Sequence, residues 1–296
     1  MIEGLITPKK ARSAPWSVAL LSFIFVSFGI GMFMLYQGIE GGVVVLAMLP
    51  AIPLIWYLVM GEEKIEADEL EKYYGTYYAI FPEQRPTRKN YAFFTYHKTL
   101  LIVFSFFFLG AVIAYAIWFA YLPEDAAKNH FASQITELCS IRKSTGMPWI
   151  DCKSWMSAHK QKESAYVSFK ENEFTAILKN NLGVLGAMFL FSLLYGVGAI
   201  YLLLWNASII GVFIGSVARV QGLQGLFLGF FSLLFHGVFE LGAYFIASIA
   251  GGIFSVALMR RHFLKRGFEY LLLDILILTL IAVFMLVIGA LIESSY

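Results

Sequence analysis

WNASIIGVFIGSVARVQGLQGLFLGFFSLLFHGVFELGAYFIASIAGGIFSVALM, residues 205–259, is the stretch whose reading decides the fold. It stays apolar over far more chain than the roughly 20 residues a helix needs to cross a hydrocarbon layer, so it must turn back. The place to turn is the polar, glycine-rich segment from Arg219 to Gly225. The first half of the stretch, 208–235, is interrupted by Arg219, Gln221 and Gln224 and reads as a crossing or as a broken, re-entrant element. The run 236–258 reads as a single helix.

Working outward, apolar runs of spanning length lie at 16–36, 40–60, 99–122, 183–205 and 268–292. With the divided stretch they predict an all-α polytopic membrane protein of seven transmembrane helices. Composition agrees: 59% of residues are apolar, 17% aromatic and only 14% charged, with a mean hydropathy of +0.72, well outside soluble usage. The run from Trp16 lacks a small-residue cleavage pattern and is read as retained, not as a signal peptide. A net charge of +2 without a basic patch gives no ground for a nucleic-acid partner.

Basic residues set the expected orientation. Lys9, Lys10 and Arg12 precede the first span, six more lie in 61–98, and Arg260, Arg261, Lys265 and Arg266 separate the last two spans. Seven crossings put all three groups in the cytoplasm and the C-terminus outside, in a multi-pass plasma-membrane protein. The loop 123–180 then faces outward; its eight Lys and Arg argue mildly against this, but acidic residues nearly balance them. The two cysteines of the chain, Cys139 and Cys152, both fall in that loop. An oxidising compartment lets them pair, closing a small extracytoplasmic helical domain over the bundle; two unpaired thiols are the alternative.

Three regions follow: a two-helix membrane hairpin at 1–60, a cytoplasmic linker at 61–97, and a five-span core at 98–296. In the linker, acidic residues run at helical spacing from Glu62 to Lys72, followed by Tyr73, Tyr74, Tyr77, Tyr78 and Phe81. That pattern suits a helix lying at the headgroup level; a solvated linker is the plainer reading.

His236 and Glu240 are the sharpest chemical feature, because a four-residue spacing puts both on one face of a helix at membrane depth. They can satisfy one another, hold a proton, ligate a metal, or simply pin two helices together. Two ligands fall short of the three a catalytic zinc requires, so no metal or cofactor is assigned. Arg219 is read as a snorkelling residue, a salt-bridge partner for Glu240, or part of a wet cavity lining. Asn180 and Asn181 before the fourth span, and Asn206 at its end, read as helix caps or interfacial hydrogen-bonding residues. The spacing of Gly211 with Gly215, and of Gly225 with Gly229, allows close helix approach, either inside the chain or across a homodimer. There is no phosphate-cradling glycine loop, no His-Glu-x-x-His helix and no Gly-x-Ser-x-Gly elbow, which leaves no complete catalytic constellation.

Asn180-Asn181, the glycine-rich span after it, Asn206 with Ile210-Gly211, His236-Gly237-x-x-Glu240-Leu241 and Ala247 to Gly252 together resemble the stage II sporulation protein M family over roughly residues 95–296. The sequence departs from the family pattern at Gly242-Ala243, where a proline-containing step is expected, and at Ala207, where a glycine often follows the Asn. The resemblance implies motif positions at Asn180, Asn181, Asn206, His236, Gly237 and Glu240. It also implies a non-enzymatic membrane anchor or scaffold, since the family's namesake recruits cell-wall-degrading partners during engulfment. A scaffold that docks proteins, as a dimer, is the first expectation for this chain. A transporter or channel for an ion, lipid or small solute, using His236, Glu240 and Arg219, is the second; an intramembrane metal-dependent hydrolase is a distant third.

Overall fold

The computed structural model describes residues 8–35, 42–57, 93–141, 149–158, 173–193, 197–259 and 268–295. The expected linker 61–97 lies outside these residues except for its last five positions. The elements among the described residues are all helices: α1 (Pro8–Ser13), α2 (Trp16–Leu35), α3 (Gly42–Tyr57), α4 (Phe93–Tyr121), α5 (Glu124–His130), α6 (Ala132–Ile141), α7 (Cys152–Ala158), α8 (Glu173–Ser192), α9 (Val197–Gln221), α10 (Leu223–Met259) and α11 (Phe268–Glu293). Stretches of α2, α4, α9, α10 and α11, five in all, are long and apolar enough to cross a membrane. Gly42–Tyr57, Ile177–Ser192 and Leu223–Leu234 are shorter apolar helices.

The turn expected between Arg219 and Gly225 is found at Gly222, whose positive φ of 64° is the left-handed conformation glycine adopts freely. There the Gly222 N–H closes α9 by bonding Ala218 O at 2.8 Å, and α10 starts at once. α10 then runs on through 235 without a break, so the interruption within 208–235 is this one tight turn. The expected fourth span does not hold: α8 ends at Ser192 and α9 starts at Val197, dividing 183–205.

Contacts between side chains fix the directions of the helices. Ala19 lies on Gly110, and Trp118 donates its indole N–H to Ser27 Oγ at 2.9 Å, so α2 and α4 run parallel. α4 and α9 also run parallel, with Gly211 against Tyr115 and Gly215 against Ala116 and Phe119. α10 returns antiparallel to α9, Gly225 resting on Val217 and Gly229 on Ile214. Further along, α10 runs parallel to α8: Tyr244 meets Asn181, and Ser255 donates to Leu193 O at 2.7 Å. α11 runs back antiparallel, with Met285 over Gly242. The four spaced glycines are therefore all consumed by packing within one chain.

α10 is the spine joining two groups of helices that are offset along it. Its first turns lie on the end of α9, and its later turns carry α8 and α11. The short helices α5, α6 and α7 form a cap over the ends of α2, α4 and α9. The pair expected at Cys139 and Cys152 is bonded, with an S–S distance of 2.04 Å, stapling α6 to α7. The cap's bundle-facing stripe is Ala127, His130, Phe131, Gln134, Ile135 and Leu138, all buried. This stripe is continuous because the Phe131 N–H bonds Ala127 O and the Ile135 N–H bonds Phe131 O, carrying the helical register through the α5–α6 join.

Candidate functional site

Glu240 sits on α10 fifteen residues beyond Gly225, roughly 22 Å along a helix rising 1.5 Å per residue. A carboxyl this far along an apolar helix needs hydrogen-bond partners, and it finds them on neighbouring helices. The buried Asn181 of α8 donates its Nδ2 to Glu240 Oε1 at 2.6 Å. Asn181 Oδ1 accepts from Tyr244 Oη at 3.1 Å, and Asn180 Nδ2 reaches the same oxygen at 3.4 Å. From the last turn of α11, the Glu293 carboxyl comes up to Glu240. The arrangement fastens the middle of α8, the middle of α10 and the last turn of α11 together.

Asn180 and Asn181 are thus not caps. They lie inside α8, and Asn181 tolerates a helix interior because its amide is fully used across the helix interface. Asn206 is likewise inside α9 and not at the end of a span; its Nδ2 bonds Leu202 O, one turn back, at 2.8 Å. It takes no part in the cluster. The backbone of His236 lies in α10 one turn before Glu240, but its side chain is outside the described residues, as is the expected His236–Glu240 contact. A Cβ on the motif glycine Gly237 would meet nothing within 4 Å. Tyr244 and Glu293 are the partners the sequence reading missed. Tyr244 carried a signal, the same four-residue spacing taken in the other direction; Glu293 carried none, because only the folding back of α11 brings it there.

Arg219 is not a partner of Glu240. It lies at the cap end of α9, where Nε donates to Phe119 O at 2.8 Å and Nη2 donates to Leu122 O. Phe119 lies in the last turn of α4 and Leu122 one residue past it, where carbonyls lack a partner within the helix. The guanidinium also stacks 4.2 Å from the centroid of the Trp149 ring, which Lys128 approaches at 5.3 Å from its own side. Arg219 therefore clamps the end of α4, the end of α9 and the disulfide-closed loop. Beside it, Glu124 bonds Lys128, and that bond and charge hold the exposed Glu124 carboxyl below its ordinary range. Among the described residues no group of three or more His, Cys, Asp or Glu could hold a metal.

Comparison with known proteins covers this part of the chain. The family model described as stage II sporulation protein M matches residues 99–295. An uncharacterized protein of the archaeon Methanocaldococcus jannaschii is 33% identical over 135 residues, covering 44% of this chain and 74% of that protein. No solved structure matches the chain. The match begins at the first turns of α4 and takes in the cap, the clamp and the Asn181–Glu240–Tyr244 cluster, leaving α1, α2 and α3 outside it; the chain belongs to the stage II sporulation protein M family.

Proposed function

We propose that the protein is a multi-pass scaffold of the plasma membrane, crossing seven times, that recruits partner proteins through an extracytoplasmic cap. The cytoplasmic side is then the one marked by Lys9, Lys10 and Arg12, and the C-terminus is extracytoplasmic. The observation that carries this reading is the cap itself: three short helices stapled by Cys139–Cys152 and clamped to the helix ends by Arg219. A disulfide belongs to an oxidising compartment, and a rigid, polar-surfaced element held outside a bundle is what a docking platform requires. A homodimer remains part of the proposal. It would have to use a face other than the glycine pairs, such as the exposed Phe227, Phe231 and Leu234 of α10. The test is crosslinking and recovery from native membranes, with wild type compared with a variant in which the exposed Asp125 and Asn129 are changed to Lys. A companion should be recovered with wild type and reduced about tenfold with the variant. Strictly monomeric protein with no companion would end the scaffold reading.

A second reading, transport of an ion or small solute, draws on one observation, the contact between Glu240 and Glu293. Phe245, five residues further along α10, packs against Phe104 and Phe108 of α4, while Glu240 sits near the start of the apolar stretch Gly237–Ser255 and Glu293 closes the stretch Leu271–Glu293. Proton or ion flux into liposomes that is the same for wild type and Glu240→Gln would dispose of it.

A further inference from the structure

The underside of the cap carries polar groups where its core stripe should be apolar. His130 and Gln134 are 6% and 0% exposed, and Tyr115 below them on α4 is fully buried. Phe131, between His130 and Gln134 in the buried stripe, meets Tyr115 edge-on at 6.2 Å and Phe119 at 5.4 Å. His130 itself packs edge-on against Phe33 of α2 at 5.0 Å. Yet Tyr115 Oη, both His130 nitrogens and both Gln134 amide atoms find no hydrogen-bond partner. Nearly all buried polar groups in folded proteins are paired, and each unpaired one disfavours the state that buries it. Five such atoms on one seam is a concentrated penalty for the docked cap. All five would be hydrated if the cap rose. Opposing them are the Arg219 bonds to Phe119 O and Leu122 O, the Arg219–Trp149 stack, and burial of the apolar residues of the stripe.

We propose that the disulfide-stapled cap is a hinged lid, held down by the Arg219 clamp against the unpaired polar seam of Tyr115, His130 and Gln134, and poised to lift from the bundle. The inference concerns the cap's equilibrium alone, so it stands or falls separately from partner recruitment. When the lid rises, the seam and the clamp site are exposed together, giving the protein two states that a ligand or partner binding only one of them can select.

The native disulfide supplies the readout. Cys139 and Cys152 are 2% and 9% exposed, and a reductant must reach a sulfur to cleave the bond, so reduction reports the fraction of time the cap is raised. The full chain in lipid nanodiscs would be treated with tris(2-carboxyethyl)phosphine and the released thiols counted over time. Arg219→Gln should speed reduction about tenfold, and Tyr115→Phe, which removes only an unpartnered hydroxyl, should slow it several-fold. Gln134→Leu should slow it further, and His130→Phe provides an independent version of the same change. In denaturant all variants should be reduced at one rate. Equal rates for every variant in nanodiscs would overturn the proposal. So would faster reduction of Tyr115→Phe and Gln134→Leu, since it would mean that the buried polar groups hold the cap down.

Discussion

At the scale of single residues, charge and hydrogen bonding make separable predictions. Lys128 both bonds Glu124 and lies near it in charge, and these hold the Glu124 carboxyl below its ordinary range, with Arg219 adding a smaller pull. A carboxyl lowered in the folded state contributes stability above its unfolded range, and that contribution is lost as pH falls through the folded value. Lys128→Met should therefore raise the Glu124 midpoint in a carbon-13 carboxyl titration and remove the acid-side loss; an unmoved midpoint would show that the bond does not form in solution. Glu240 tests the cluster differently. Gln in its place can still accept from Asn181 and donate to Glu293, so Glu240→Gln should cost little. Glu240→Ala leaves the Asn181 amide and Glu293 without their partner and should cost roughly 0.6–2 kcal/mol in reversible unfolding in lipid. Equal losses for the two variants would mean that the carboxyl's charge, not its bonding, matters. The sequence made Glu240 conspicuous because an acid in an apolar run always is. The expected pairing with His236, one turn back, lies outside the described side chains, while Tyr244, one turn forward on the same face, meets Glu240 through the shared Asn181: spacing names a face but not which neighbour reaches a third helix.

At the scale of elements, glycines at close approaches set how tightly α4 and α9 pack. A Cβ on Gly211 would lie 2.5 Å from Tyr115 Cβ and 3.0 Å from the carbonyl oxygen of Val112, so something must move. Gly211→Ala should cost about 1–3 kcal/mol, the usual range for overpacking. Gly186 in α8 has nothing within 4 Å of the same position, and Gly186→Ala should gain up to about 1 kcal/mol from helix propensity. Thermal unfolding of the two variants in one lipid reads both; matching shifts would mean that α4 and α9 are not in contact as described. What was legible at this scale followed its physical cause. The turn at Gly222 was visible because polar and glycine residues mark a corner in an apolar run, and the Cys139–Cys152 bond because two cysteines share one short loop. The division of 183–205 between α8 and α9 was not, since no charged residue interrupts the run. Asn181 was open to reading as a cap because the helix was expected to start after it; its other reading, an interfacial hydrogen-bonding residue, is what its bond to Glu240 shows.

At the scale of the whole molecule, the path of the chain constrains which ends share a side. α2 and α4 run parallel and end at the cap, α8 leaves the cap end, α9 returns to it, α10 leaves again and α11 returns. Two of the helices on this path, Gly42–Tyr57 and Ile177–Ser192, are shorter than the five of spanning length, so the crossing count depends on whether both traverse the bilayer. A thin crossing is tolerable where flanking residues snorkel or the bilayer thins locally, and α8 buries Leu185 and Met188 while Leu190 and Phe191 stay exposed on its outer side. The test uses the fact that both cysteines of the sequence are bonded to each other, so an introduced thiol is the one that reacts. Lys10→Cys, Asn129→Cys and Ser295→Cys, each at an exposed position, would be treated in oriented membrane vesicles with an impermeant maleimide from one side at a time. Seven crossings predict that positions 129 and 295 label from one side and position 10 from the other. Labelling of 295 together with 10 would mean that one short helix lies in the membrane without crossing it. The positive-inside assignment of the last basic loop would then fail, while the cap, its staple and its clamp would be left as they are.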